Sequence, residues 1–199
     1  MWKNTCKLLL FDLDGTLLQS DKTISKRTLS VLKQCREKGI LIGVSTSRSE
    51  QNSLVYLKTT ILDQSWGDSI YTDFSDFTEC SLKMCVEIFE QDKADELADR
   101  LSDCDCIRFS DGYWYKFTKK NVTKENAIMK ITEVCGFATD SIIAFGDDYA
   151  DIGMLELCGT GVAMGNAIDE VKNKADIVIG SNDEDGIADF IESECIICH

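Results

Sequence analysis

The chain has 199 residues, enough for one well-buried core with a small accessory domain and too few for two full-sized domains. Its 44% hydrophobic and 28% charged residues are the balance of a folded chain, not a disordered one. With 35 Asp and Glu against 21 Lys and Arg, the surface repels a phosphate backbone, which argues against nucleic acid as a partner.

The first apolar run, Leu8 to Phe11, reads as a buried strand. It is too short to span a bilayer and lacks a signal-peptide layout, so no membrane partner and a cytoplasmic location are expected. A helical pattern from Ser25 to Lys38 stops at Gly39, and a second buried strand covers Ile40 to Val44. Leu82, Met84, Val86 and Ile88 then alternate with other residues as in a half-buried strand. Asp92 is placed to cap a helix through about Ser102, and Cys106 to Phe109 and Tyr113 to Phe117 flank the turn Ser110-Asp111-Gly112. Further on, Thr123 is placed to cap a helix ending at Gly136, and Asn166 one from Ala167 to Lys174. Strands are expected at Ile142 to Phe145, Gly161 to Met164 and Ile177 to Ile179. Strand alternating with helix predicts an α/β fold: a doubly wound, Rossmann-like parallel sheet core over 1–74 and 119–199, with a small inserted α+β cap over 75–118.

The ten cysteines do not suggest a disulfide framework, because Cys35, Cys85 and Cys135 fall inside ordinary helix and strand patterns. The terminal Cys195-Ile196-Ile197-Cys198-His199 spells a haem-attachment or redox motif, and Cys104-Asp105-Cys106 adds a faint metal signal, but reduced thiols are the expected state.

The chemistry concentrates where strands end. Asp12-Leu13-Asp14-Gly15-Thr16 follows the first strand, at the edge where open α/β sheets bind ligands. Taken alone, this is also how a polar turn reads. Gly146-Asp147-Asp148-Tyr149-Ala150-Asp151 follows another buried strand, so Asp147 and Asp151 can converge on the same edge as Asp12. Two carboxylates near 4 Å repel by roughly 4 kcal/mol at an effective dielectric of 20. A cation is therefore required, and hard oxygen donors suit Mg2+. Thr46, Ser47 and Arg48 follow the second strand, where a hydroxyl and backbone amides can hold a phosphoryl oxygen. Lys124, at a helix start, reads either as a solvated surface lysine or as the charge that balances a phosphate.

The four segments together resemble the haloacid dehalogenase superfamily, most closely its Cof-type sugar-phosphatase branch. Asp12 to Leu18 is similar to the first family motif, Thr46 to the second, Lys124 within Val122 to Ile128 to the third, and Gly146-Asp147 with Asp151 to Leu155 to the fourth. Gly161 to Ala167, Ala175-Asp176 and Asp185-Gly186 extend the likeness. The resemblance implies a magnesium-dependent hydrolysis of phosphate monoesters of small metabolites, phosphosugars foremost. Asp12 is then the nucleophile and Asp14 the acid and base. Thr46 and Lys124 hold the phosphoryl group, and Gly15, Thr16, Ser47 and Arg48 line its site. Asp12, Asp14 through its backbone carbonyl, Asp147 and Asp151 are the implied metal residues. Ser47 and Ala150 depart from the usual glycine and asparagine, and the cap is short for the branch. Phosphotransfer to a sugar hydroxyl, a receiver-like signalling module and a catalytically weak metal-binding regulator are the alternatives. In the cap, alternation points Tyr113 and Tyr115 to one face and Trp114 to the other, where they either meet a substrate's organic part or pack internally.

Overall fold

Four consecutive apolar residues, Leu8–Phe11, form strand β1, and all four are buried, as a central strand covered on both faces requires. The computed structural model of the protein describes residues 6–47, 83–110 and 112–194, which divide into two units, 6–47 with 124–194 and 83–123. In the larger unit β1 is followed by α1 (Lys26–Glu37) and β2 (Leu41–Val44). Ser25 caps α1 by accepting from the Thr28 amide at 3.0 Å, and Gly39, at φ +82°, ends it. The buried stripe Thr28, Val31, Leu32 and Cys35 has helical spacing and faces the core.

The smaller unit holds β3 (Lys83–Glu87), α2 (Gln91–Arg100), β4 (Cys104–Arg108) and β5 (Trp114–Lys119). The larger unit resumes with α3 (Lys124–Cys135), β6 (Ile142–Gly146), α4 (Ile152–Leu157), β7 (Thr160–Ala163), α5 (Asp169–Lys174), β8 (Ile177–Val178) and α6 (Gly186–Ser193). Its five strands lie within one residue of the expected ends. They form one parallel sheet in the order β2-β1-β6-β7-β8, with helices packing in two groups, α1 with α6 and α3 with α4.

The strand order reverses at β1, which has β2 on one side and β6 on the other. The crevice at the carboxyl end of β1 is therefore the topological switch point where such sheets bind ligands. Register sets what meets there. Phe11 pairs with Phe145 on β6 and with Val44 on β2, so the residues following all three strands emerge at one level. Below them the Phe11 and Phe145 rings stack with centroids 4.6 Å apart, and Phe190 of α6 meets Phe145 edge-on at 5.7 Å.

In the smaller unit β5 pairs antiparallel with β3 and β4, and α2 covers one face. Ala94, Tyr115 and Phe117 are buried there among Val86, Ile88, Leu97, Ala98, Leu101 and Cys106. Two expected caps differ. Helix α2 starts at Gln91, leaving Asp92 in its first turn, where a carboxylate meets the positive end of the helix dipole. Helix α5 starts at Asp169 with Ile168 as its cap, because the Asn166 side chain is engaged elsewhere: it donates to Gly15 O at 2.7 Å and accepts from the Asn182 amide at 3.0 Å. Among the described residues no helix is long and apolar enough to cross a membrane.

Candidate active site

Asp12 leaves β1 with its amide bound to Phe145 O at 3.0 Å, one further rung of the sheet before the chain turns. The turn closes through Leu17 N to Asp12 O at 3.3 Å and Leu18 N to Leu13 O at 2.8 Å. Gly15 takes φ +75°, and a Cβ on it would collide with the Asp147 carboxylate, so both backbone angle and space demand glycine. Thr16 donates from Oγ1 to Asp147 Oδ1 at 2.6 Å, stitching the first acidic turn to the second.

The second turn is built around Asp151, which is 1% exposed. Its Oδ2 accepts from the amides of Asp147 at 2.9 Å and Asp148 at 3.1 Å, and its Oδ1 accepts from Lys124 at 2.6 Å. A Cβ at Gly146 would press on the Asp151 side chain at 2.5 Å, so that glycine makes room for the arrangement. Lys124, the first residue of α3, also donates to Asp12 Oδ1 at 2.6 Å. Asp148 turns aside to accept from the Tyr149 amide at 2.7 Å.

Asp12, Asp147 and Asp151 thus each offer an oxygen within 4.8 Å of the others. One lysine does not balance three carboxylates in a site this dry. Burial, only partly offset by Lys124, pushes Asp12 up to about 6. Burial also pushes Asp147 up to about 8, Thr16 working the other way and the neighbouring aspartates adding to the rise. For Lys124 burial acts to lower the value, but Asp12 and Asp151 outweigh it and the ammonium is held more tightly than usual. Hard oxygen donors with excess negative charge and raised proton affinity are a donor set that a small divalent cation fits, with magnesium the natural occupant.

Of the residues expected here, Asp12, Lys124, Asp147 and Asp151 converge, and Gly15 and Thr16 line the same turn. Thr46 and Ser47 follow β2, whose last residue is level with Phe11, and the Ser45 amide donates to Phe11 O at 2.8 Å. Arg48 lies outside the described residues. The Asp14 carboxylate is not part of the three-acid cluster; it accepts from Lys22 Nζ at 2.8 Å. Sequence reasoning missed Lys22 and the Asn166 tie to Gly15. Neither sits in a periodic element, and the one available signal, a turn-forming Asp21 followed by Thr23, describes the turn and not its target.

A family model of haloacid dehalogenase-like hydrolases matches residues 9–65 and 64–191. The chain is 28% identical to 5-amino-6-(5-phospho-D-ribitylamino)uracil phosphatase YitU of Bacillus subtilis over 259 positions, covering 93% of this chain and 96% of the relative. That alignment is longer than the chain itself. Identity to the pyridoxal phosphate phosphatase YbhA of Escherichia coli is 51% over 74 residues, 37% of this chain and 27% of the relative. Among solved structures, a phosphatase of the haloalkanoate enzyme superfamily from Bacteroides thetaiotaomicron shares the fold, with a TM-score of 0.81, 19% identity and 96% coverage of both chains. With the parallel sheet, the switch-point cluster and the family match in agreement, the chain belongs to the haloacid dehalogenase-like hydrolases, among relatives named as phosphatases.

Proposed function

We propose that the protein hydrolyses phosphate monoesters of small metabolites, phosphosugars foremost, through a phospho-aspartate on Asp12. The observation that carries this reading is the placement of Asp12 at the end of β1, bonded to Lys124 and within 4.8 Å of Asp147 and Asp151. Asp12 attacks phosphorus, the ester oxygen leaves, and Asp14 supplies that oxygen with a proton. Water then attacks the acyl phosphate, giving a proton back to Asp14 and releasing inorganic phosphate with Asp12 restored. Lys124 balances the phosphoryl charge and holds Asp12 in one orientation, and Thr46 with the amides after β2 receives a phosphoryl oxygen.

The residues that would hold magnesium are Asp12, Asp147 and the backbone carbonyl of Asp14. Asp151 lies near enough to share in the site, but both its oxygens already accept hydrogen bonds. Bound magnesium supplies the positive charge that lets a phosphate dianion approach carboxylates. The segment 75–118 is proposed as the cap that meets the organic part of the substrate.

The relatives' named substrates, a phosphoribitylaminouracil and pyridoxal phosphate, are both phosphate esters of small polar metabolites and support the class without choosing a member. The free thiols of the described cysteines, such as Cys35 and Cys158, fit a reducing cytoplasm. The deciding experiment measures phosphate release from a panel of phosphometabolites with magnesium and with chelator. Release that needs magnesium and disappears in Asp12→Asn supports the reading, and a silent panel refutes it.

A further inference from the structure

Lys22 adopts φ +65°, a left-handed conformation that a lysine takes only against a steric cost. The turn around it is closed from within and pinned from without. Lys22 N donates to Gln19 O at 2.9 Å, Gln19 N to Thr23 O at 2.8 Å, and Asp21 Oδ1 accepts from the Thr23 amide at 2.9 Å and hydroxyl at 2.7 Å. Outside the turn, Asp183 accepts from the Ser20 amide at 2.7 Å and hydroxyl at 2.6 Å, and Ser25 donates to Asp185. Asn182 Nδ2 donates to Leu18 O at 2.8 Å. A backbone conformation this strongly fixed invites a question about what it presents. It presents the Lys22 ammonium, 2.8 Å from Asp14 Oδ1.

We propose that Lys22 is a positioning residue for Asp14, holding its carboxyl in one orientation for proton transfer to the leaving oxygen. The inference rests on the acid/base reading of Asp14. In that step the Asp12 oxygen–phosphorus bond forms as the ester P–O bond breaks. The P–O electron pair stays on the departing oxygen, the Asp14 proton joins it, and Asp14 is left as a carboxylate. Proton delivery needs the Asp14 carboxyl within hydrogen-bond reach of the departing oxygen, and a side chain already held in one orientation by a pinned turn reaches it without a search over rotamers. The benefit scales with how far proton transfer has gone. An alkoxide cannot leave without its proton, whereas p-nitrophenolate leaves with little help.

The test compares kcat/KM of the full chain with magnesium on an alkyl phosphate, glycerol phosphate or the best sugar phosphate of the panel, and on p-nitrophenyl phosphate. Lys22→Met is expected to lose about tenfold or more on the alkyl ester and less than about threefold on the aryl ester, a fraction of what a whole acid contributes. Lys22→Arg should recover most of the alkyl activity. Lys22→Gly removes the backbone strain together with the ammonium, so it should behave like the Met variant; a wild-type ratio would show that the turn alone matters and overturn the proposal. Asp183→Ala, which loosens the turn from outside, should skew the ratio in the same direction. Equal losses on both esters overturn the role of Lys22 when Asp14→Asn itself shows the skew. An unskewed Asp14→Asn, or a wild-type chain that cleaves neither ester, overturns the acid/base reading and the inference with it.

Discussion

The Asp151 carboxylate receives the Lys124 ammonium on Oδ1 at 2.6 Å, and both side chains are all but removed from solvent, at 2% and 9% exposed. Its other oxygen holds the two amides that open the turn after β6. Asp151→Ala would leave the buried Lys124 ammonium with Asp12 and take the shared acceptor from the part-buried Asp147 and Asp148 amides. A loss of about 2 kcal/mol or more is expected in denaturant unfolding without magnesium, because a donor left without its acceptor costs more than the bond is worth intact. Asp151→Asn, which keeps the shape and an acceptor, should lose clearly less. A loss within about 1 kcal/mol for the alanine variant would mean the turn holds itself without Asp151.

Asp12→Asn should leave the fold intact and reduce turnover to background, since the amide keeps the shape but not the anionic nucleophile. Asp14→Asn should lose roughly 10² to 10⁴ in rate on alkyl esters, the usual contribution of a positioned acid or base. Circular dichroism checks the fold of both, and phosphate release checks the activity. Appreciable turnover by a folded Asp12→Asn protein would remove the phospho-aspartate from the mechanism.

Asp147→Ala should weaken magnesium binding far more than Asp148→Ala. Asp147 offers an oxygen to the three-acid cluster, whereas Asp148 accepts from the Tyr149 amide within its own turn. Calorimetric titration of the two variants settles the order, and equal or reversed losses would assign the ligand to Asp148.

The core strands and the convergence of Asp12, Asp147 and Asp151 were legible because burial on both faces writes itself as short apolar runs, and the acids follow those runs, whereas Lys124, which reads equally as a surface lysine, entered through the family resemblance. What was not legible depends on side chains crossing between loops. Asn166 has the chemistry of a helix cap and stands where one belongs, yet its amide reaches Gly15 O, a contact 151 residues away in sequence. Asp92 missed its cap by two positions, an error typical of helix ends. Tyr113 and Tyr115 share a face by alternation, but only Tyr115 lies beneath α2. Tyr113 is 47% exposed, its ring 5.3 Å from Phe89.

Without a metal the site should make the fold less stable as pH rises. Asp12 and Asp147 move up from 3.8 to about 6 and about 8, so between 3.8 and those values the folded chain holds protons that the unfolded chain has released. Their contribution is fully present below 3.8 and is lost as pH climbs through about 6 and then about 8. The raised Lys124 acts on the alkaline side of 10.5 and stays out of this window. In chelator the thermal midpoint is expected to fall across the window by about 2–4 °C for each kcal/mol lost. Magnesium, which binds the ionised carboxylates, should restore it by a margin that widens with pH. Asp147→Asn should flatten the upper part of the dependence. A midpoint in chelator that holds steady or rises through the window would contradict the buried, charge-rich site.

The two aromatic neighbours on β5 should separate recognition from folding. Tyr115 is 4% exposed, packs with Phe117 and Ala94, and donates from its hydroxyl to Gln91 Oε1 at 2.8 Å. Trp114, one residue earlier on the opposite face, is 39% exposed. Truncating a buried aromatic costs about 3–5 kcal/mol, more than a small three-stranded unit with one helix can spare, so Tyr115→Ala should unfold that unit. Its signature is early protease cleavage between β3 and β5 with the larger unit intact. Trp114 is not one of the side chains in that buried cluster, so Trp114→Ala should leave cleavage unchanged. If the segment selects substrates, Trp114→Ala alters the ranking of phosphosugars while p-nitrophenyl phosphate turnover persists, because Asp12, Asp14, Lys124 and Asp147 are untouched. A folded Trp114→Ala protein that slows equally on every ester would instead put an essential contact on β5.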